Sequence, residues 1–109
     1  MGEHYLLDLY QCDADKLNDE QLIKKLLHDA AYCAGMTILN TMTHKFYPQG
    51  VTGIVMLAES HISIHTWPED RKAAVDVYTC GDCDSALACQ IIRTQLDSKD
   101  FTIEHVKRG

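Results

Sequence analysis

Reactive side chains are concentrated in one short stretch, residues 58–69, near the middle of the 109-residue chain. The stretch holds two carboxylates, three hydroxyl groups and two imidazoles, on Glu59, Ser60, His61, Ser63, His65, Thr66 and Glu69. It follows an apolar run that is typical of a strand in a protein core. Because a serine hydroxyl beside imidazoles can support nucleophilic chemistry, this stretch is the candidate site.

A second reactive segment, Cys80–Gly81–Asp82–Cys83, ends the next predicted strand. Side chains alternate across a strand, so polar residues of neighbouring strands can share one face. If the two strands form a hairpin with its tip near Asp70, pairing polar with polar residues places Cys80 near His61. We therefore expect a thiol, Ser60 and both imidazoles to converge on one end of the sheet.

The residue types leave four interpretations open. The polar residues can be side chains on a sheet face that only form hydrogen bonds and take part in no reaction. A metal site cannot use His61 and His65 together, since they lie about 13 Å apart on a strand, too far to share a zinc ion, and a site with His61 and His44 or a cysteine has only weak support. The Cys-x-x-Cys segment is locally similar to a thioredoxin redox motif. Ser60 can also be a covalent catalyst with a histidine base, although the absence of Gly-x-Ser-x-Gly argues against an α/β-hydrolase.

Composition excludes several classes of function. The net charge is −6 and no basic stripe is present, so we expect no nucleic-acid partner. No apolar run approaches the length of a membrane span and no signal peptide is evident, which predicts no membrane partner and a cytoplasmic location. An odd number of cysteines, five, argues against a disulfide framework.

Apolar spacing predicts one α+β domain over 1–109, a two-layer α/β sandwich with two helices on one face of a mostly antiparallel sheet. The strands are predicted at 5–10, 36–47, 51–58, 60–67, 73–80 and 101–106. Asn18, with Gln21 in a capping box, and Asp84 are the predicted helix N-caps. The continuously apolar strand 51–58 is expected to be buried on both faces. The sheet face without helices predicts a symmetric homodimer.

Three motifs resemble those of the bacterial and archaeal S-adenosylmethionine decarboxylases. They are Glu59–Ser60–His61, His65–Thr66–Trp67–Pro68–Glu69 and Thr79–Cys80–Gly81–Asp82. The similarity extends over nearly the whole chain. It implies that Ser60 attacks the carbonyl of Glu59, which cuts the chain into 1–59 and 60–109 and converts Ser60 into a covalently bound pyruvoyl group.

The resemblance implies that this pyruvoyl cofactor forms a Schiff base with S-adenosyl-L-methionine and decarboxylates it to the aminopropyl donor of spermidine biosynthesis. It also assigns roles to six further residues: His65 as the processing base, Thr52 as processing support, Cys80 as the proton donor in decarboxylation, and Glu69, Phe46 and Trp67 as substrate-binding residues. Active sites are expected near the interface of a homodimer of processed chain pairs. The alternatives are a pyruvoyl-dependent arginine or ornithine decarboxylase on the same fold, or an unprocessed binding domain.

Overall fold

The computed structural model describes residues 2–58, 60–80 and 82–108. In chain order its elements are β1 (Gly2–Tyr10), α1 (Ala14–Leu17), α2 (Glu20–Cys33), β2 (Ile38–Lys45), β3 (Val51–Leu57), β4 (Ser60–Trp67), a 3-10 helix (Pro68–Asp70), β5 (Lys72–Thr79), α3 (Ser85–Gln95) and β6 (Asp100–Arg108). Helix α1 was not predicted from the sequence, because four residues are too few for an apolar period to be visible.

The six strands form one sheet in the order β2-β3-β4-β5-β1-β6, and every neighbouring pair is antiparallel. Strands β2 to β5 follow one another as hairpins, and β1 inserts between β5 and β6. Strand β4, which carries the histidines, is hydrogen-bonded along both edges. The predicted α+β sandwich with an antiparallel sheet is confirmed.

Helices α2 and α3 pack on the same face of the sheet, α2 over β2 and β3 and α3 over β5 and β1. The core between these layers includes Leu26 and Leu27 of α2 and Ile62 and Ile64 of β4, all fully buried. Gly53 allows the close approach of α2, since a Cβ at this position would lie 2.8 Å from Leu27 Cδ1. Burial of this apolar layer supplies most of the driving force for folding.

The prediction that strand 51–58 is buried on both faces is wrong. Val51, Val55 and Leu57 are buried, whereas Ile54 and Met56 are 42% and 52% exposed. The helices cover only one face of β3, so its apolar side chains alternate between core and surface. An apolar run in the sequence therefore shows that the side chains are hydrophobic. It does not show that other parts of the same chain cover both faces of the strand.

We call the side of the sheet opposite the helices the open face. On β4 it carries His61, Ser63, His65 and Trp67, because Ile62 and Ile64 of the same strand are buried in the core. Met42 of β2, 64% exposed, extends the apolar part of this face beside β3. The candidate site residues His65 and Trp67 thus lie on a surface that no described helix covers.

One helix cap was predicted one residue too early. Asp19, not Asn18, is the N-cap of α2, and its carboxylate accepts from the Leu22 N–H at 3.1 Å. Asn18 ends α1, and its Oδ1 accepts from the Gly50 N–H at 2.9 Å. The predicted cap Asp84 of α3 is confirmed.

Candidate active site

Ser60 is the first residue of β4 and follows the shortest connection in the sheet. Leu57 of β3 pairs directly with Ser60, so only residues 58 and 59 link the two strands. Ser60 is half-buried. Glu59, the other residue of the predicted cleavage bond, lies outside the described residues.

Cys80 lies at the same end of the sheet as Ser60, but in a different register from the one predicted. The ladder pairs His61 with Tyr78, so Cys80 follows the end of β5, two residues past the partner of His61. The prediction that Cys80 lies across from His61 is therefore wrong by two residues. The pairing of polar with polar residues is correct, since Ser63 lies opposite Asp76. The half-buried Cys80 therefore lies past the Ser60 end of the β4–β5 ladder.

His65 lies at the other end of β4, opposite Thr52 of β3. The His65 Nδ1 and Thr52 Oγ1 atoms are 3.0 Å apart. If Nδ1–H donates to the threonine, the lone pair on Nε2 is available as a base. The exposed imidazole is thus held in one orientation with its second nitrogen accessible on the open face.

The predicted convergence of Ser60 with both histidines is wrong for His65. Five residues separate Ser60 from His65 along an extended strand, or about 17 Å at about 3.3 Å per residue. Trp67 is about 23 Å from Ser60 by the same rise. Period-two spacing puts His65 and Trp67 on one face of β4 but does not bring them near Ser60, because β4 continues as a regular strand between them.

The predicted substrate-binding residues lie at the His65 end. The rings of Trp67 and His65 are 6.4 Å apart, and Phe46 follows the end of β2, the strand beside β3. Phe46 and Trp67 are 48% and 39% exposed, and Glu69 is exposed on the 3-10 helix that follows β4. A cavity of about 460 Å³ opens here and is lined by Asp8, Tyr10, Trp67, Asp70, Lys72, Ala73 and Ala74.

The structure therefore divides the predicted site into two clusters. The Ser60 cluster contains Ser60 and Cys80. The His65 cluster contains Thr52, His65, Phe46, Trp67 and Glu69. The two clusters occupy opposite ends of the strands that cross the open face, and one chain by itself does not bring them together.

A polar network between the two clusters was missed from the sequence. Asp76 accepts from Ser63 Oγ at 3.3 Å, and its other carboxylate oxygen lies 3.1 Å from His4 Nε2. Tyr78, next along this face of β5, stacks on His61 at 5.7 Å. His4 is 72 positions from Asp76, so no local pattern in the sequence could indicate their contact.

Among the residues that the structure describes, no group of three or more His, Cys, Asp or Glu side chains is placed to hold a metal ion. Within the same ranges, no helix is long and apolar enough to cross a membrane. The cytoplasmic location stays a prediction from the sequence.

Relatives with known names match this chain along almost its whole length. The proenzyme of S-adenosylmethionine decarboxylase from Prochlorococcus marinus (strain MIT 9313) is 50% identical over 109 residues, covering 99% of this chain and 87% of that protein. The proenzyme of the same name from Caldicellulosiruptor saccharolyticus is 46% identical over 110 residues, covering 100% of this chain and 89% of that protein.

A solved structure and a family profile agree with these relatives. The crystal structure of the adenosylmethionine decarboxylase from Aquifex aeolicus VF5 matches with a TM-score of 0.92 at 45% identity, covering 100% of this chain and 91% of that chain. The profile described as S-adenosylmethionine decarboxylase matches residues 3–109. On this evidence the chain belongs to the S-adenosylmethionine decarboxylase family of carboxy-lyases.

Proposed function

We propose that this chain is a proenzyme that cuts itself between Glu59 and Ser60 and then decarboxylates S-adenosyl-L-methionine to the aminopropyl donor of spermidine biosynthesis. The observation that carries the proposal is the position of Ser60, the first residue of an inner strand, directly after a two-residue connection and at the end of the sheet where Cys80 follows β5. The names of the relatives favour this substrate over arginine and ornithine.

The self-cleavage step uses groups of the chain itself. Ser60 Oγ attacks the carbonyl carbon of residue 59, the peptide C–N bond breaks, and the nitrogen takes a proton, so that an ester replaces the amide. Removal of the Ser60 Cα proton by a base then breaks the Cβ–Oγ bond and releases the carboxylate of residue 59. One water molecule replaces the nitrogen, which leaves as ammonia, and a ketone remains at the new N-terminus.

The sheet suits a cut at this position. Strand β4 pairs with β3 on one side and β5 on the other, so both new chain ends stay held by ladder hydrogen bonds. Leu57 and Ser60 remain paired on either side of the cut. The two fragments should therefore stay together as one folded unit.

The pyruvoyl group, once formed, supplies an electron sink for the carbanion that loss of carbon dioxide leaves. Cys80, at the same end of the sheet as the new N-terminus, returns a proton to that carbon. At the His65 cluster, the Glu69 carboxylate can accept hydrogen bonds from ribose hydroxyls. The exposed rings of Phe46 and Trp67 suit a sulfonium cation and an adenine base.

The separation of the two clusters supports a homodimer of processed chain pairs as the active form. A two-fold axis that lies between two open faces and runs across the strands places the Ser60 cluster of one copy over the His65 cluster of the other, twice per dimer. Sheets packed face to face lie about 10 Å apart, close enough for side chains from both to enclose a substrate. The same contact would cover Met42, Ile54 and Met56, which one chain leaves exposed.

Intact mass measurement of the purified wild-type protein tests the cleavage. We expect two fragments separated between Glu59 and Ser60, while a Ser60→Ala variant stays full length and inactive. A wild-type chain that stays uncut after prolonged incubation would contradict the proposal and support a binding domain. Carbon dioxide release from S-adenosylmethionine, arginine and ornithine then identifies the substrate.

A further inference from the structure

The turn that carries Glu69 ends in a backbone conformation that side chains disfavour. The 3-10 helix Pro68–Asp70 is closed by Arg71, whose φ of 54° and ψ of 40° lie in the left-handed region. The Arg71 N–H donates to the Pro68 carbonyl at 3.1 Å. Glycine adopts this conformation most easily, so an arginine here needs a contribution from the contacts around it.

That contribution is a two-way contact with Cys12, in the loop after β1. The Cys12 N–H donates to the Arg71 carbonyl at 3.0 Å, and Arg71 Nε–H donates to the Cys12 carbonyl at 2.8 Å. Cys12 is fully buried, and the next residue, Asp13, donates its N–H to the Leu96 carbonyl at 3.0 Å. Arg71 is thus tied to a rigid part of the core by both its backbone and its side chain.

A second anchor holds the other side of the turn. Thr66 Oγ1 donates to the Leu17 carbonyl at 2.8 Å and accepts from the Val51 N–H at 2.8 Å, and Thr66 is buried. Glu69 lies between these anchors, and its own side chain is exposed. The ladder pair Trp67–Lys72 closes the base of the turn, and the Arg71 side chain ties its last residue to Cys12 as well.

We propose that Arg71 is a positioning residue for substrate binding, which holds the turn that presents Glu69 to the ribose hydroxyls of the substrate. The inference rests on the proposed function, in which Glu69 binds the substrate. Its physical basis is that a flexible turn must be ordered on each binding event, whereas a held turn already presents its carboxylate to the substrate. Arg71 closes the turn and binds Cys12, and its proposed role does not involve contact with the reacting atoms of the substrate.

Kinetics of the processed enzyme with S-adenosylmethionine test the role of the side chain. Arg71→Met keeps the aliphatic length without the donor, and Arg71→Gly suits the left-handed φ but removes the side chain. We expect both to raise KM about ten-fold and to change kcat less than about two-fold, because they loosen binding and leave the chemistry intact. Arg71→Lys, which retains a donor, should recover part of the loss.

Two controls separate positioning from a general loss of charge or stability. Lys99→Met removes an exposed cation elsewhere and should leave KM unchanged. Thermal unfolding and the extent of chain cleavage should match the wild type for Arg71→Gly, since glycine relieves the backbone while losing only the side-chain bond. A KM that stays at the wild-type value in both Arg71→Met and Arg71→Gly would overturn the inference.

A double-mutant cycle with Glu69→Gln tests whether Arg71 acts through Glu69. If it does, Arg71→Met raises the KM of Glu69→Gln by less than about two-fold, and additive effects would overturn the inference. Failure of the proposed function gives a different result: the wild type releases no carbon dioxide from S-adenosylmethionine, or Glu69→Gln leaves KM unchanged.

Discussion

Mixed dimers of two inactive variants should regain one working site. Ser60 and His65 are about 17 Å apart in one chain, far beyond the 3 Å or so that proton transfer to a side chain requires. In the proposed dimer, Ser60 of each copy meets His65 of the other. We therefore expect co-expressed Ser60→Ala and His65→Ala chains to restore self-cleavage that neither variant shows at the wild-type rate alone.

The size of the effect follows from the symmetry. With equal amounts of both chains, about half of the dimers are mixed, and each mixed dimer has one wild-type site and one doubly substituted site. About one quarter of all sites should then work, and about half of the His65→Ala chains should be cut. No Ser60→Ala chain should be cut, because it lacks the attacking hydroxyl.

Tags of different mass on the two chains allow the assay. Mixed dimers are isolated through both tags, and intact mass spectrometry shows which chain has been cleaved. An uncut His65→Ala chain in purified mixed dimers would refute the site shared between two copies. Cleavage of His65→Ala alone at the wild-type rate would instead refute the role of His65 as the base.

Three further substitutions have defined outcomes, with exposed Cys33→Ala as the control for both cysteine variants. Cys80→Ala should lose at least about 100-fold in carbon dioxide release per cleaved chain, since a positioned acid contributes that much, and full activity would contradict its role. Burial raises the pKa of Cys89 from 9.0 to about 11, so the folded state holds this proton more tightly than the unfolded chain. The contribution of this protonated thiol to the free energy of unfolding is complete below pH 9, and about 2 kcal/mol of it is lost by about pH 10.5. Urea unfolding of Cys89→Ala should therefore show a smaller loss of stability as the pH rises over this range. Asn18→Ala should cost about 1–2 kcal/mol in urea unfolding, because it leaves the buried Gly50 N–H without its acceptor, whereas Asn18→Asp should retain most of the stability.

Local patterns predicted much of the fold. The two long helices, the six strands and the Asp84 cap were found from apolar spacing and cap chemistry, which depend on residues close in sequence. The Asn18 cap was misplaced because Asn18 and Asp19 are equally good caps, and only the tertiary contact of Asn18 with Gly50 distinguishes them. The role of Arg71 had no local signal, since its partner Cys12 is 59 positions away.

The sequence by itself determined the family and the reactive groups, because both depend on residue identity: the serine, the histidines, the cysteine and the motifs around them. Tertiary structure alone decided how far apart these groups lie. Hydrogen bonding along β4 holds the strand extended and sets its register with β5, so Ser60 and Cys80 lie at one end of the sheet while His65 and Glu69 lie at the other. A period of two residues tells which face a side chain occupies, but the separation along that face is set by backbone pairing across the whole sheet.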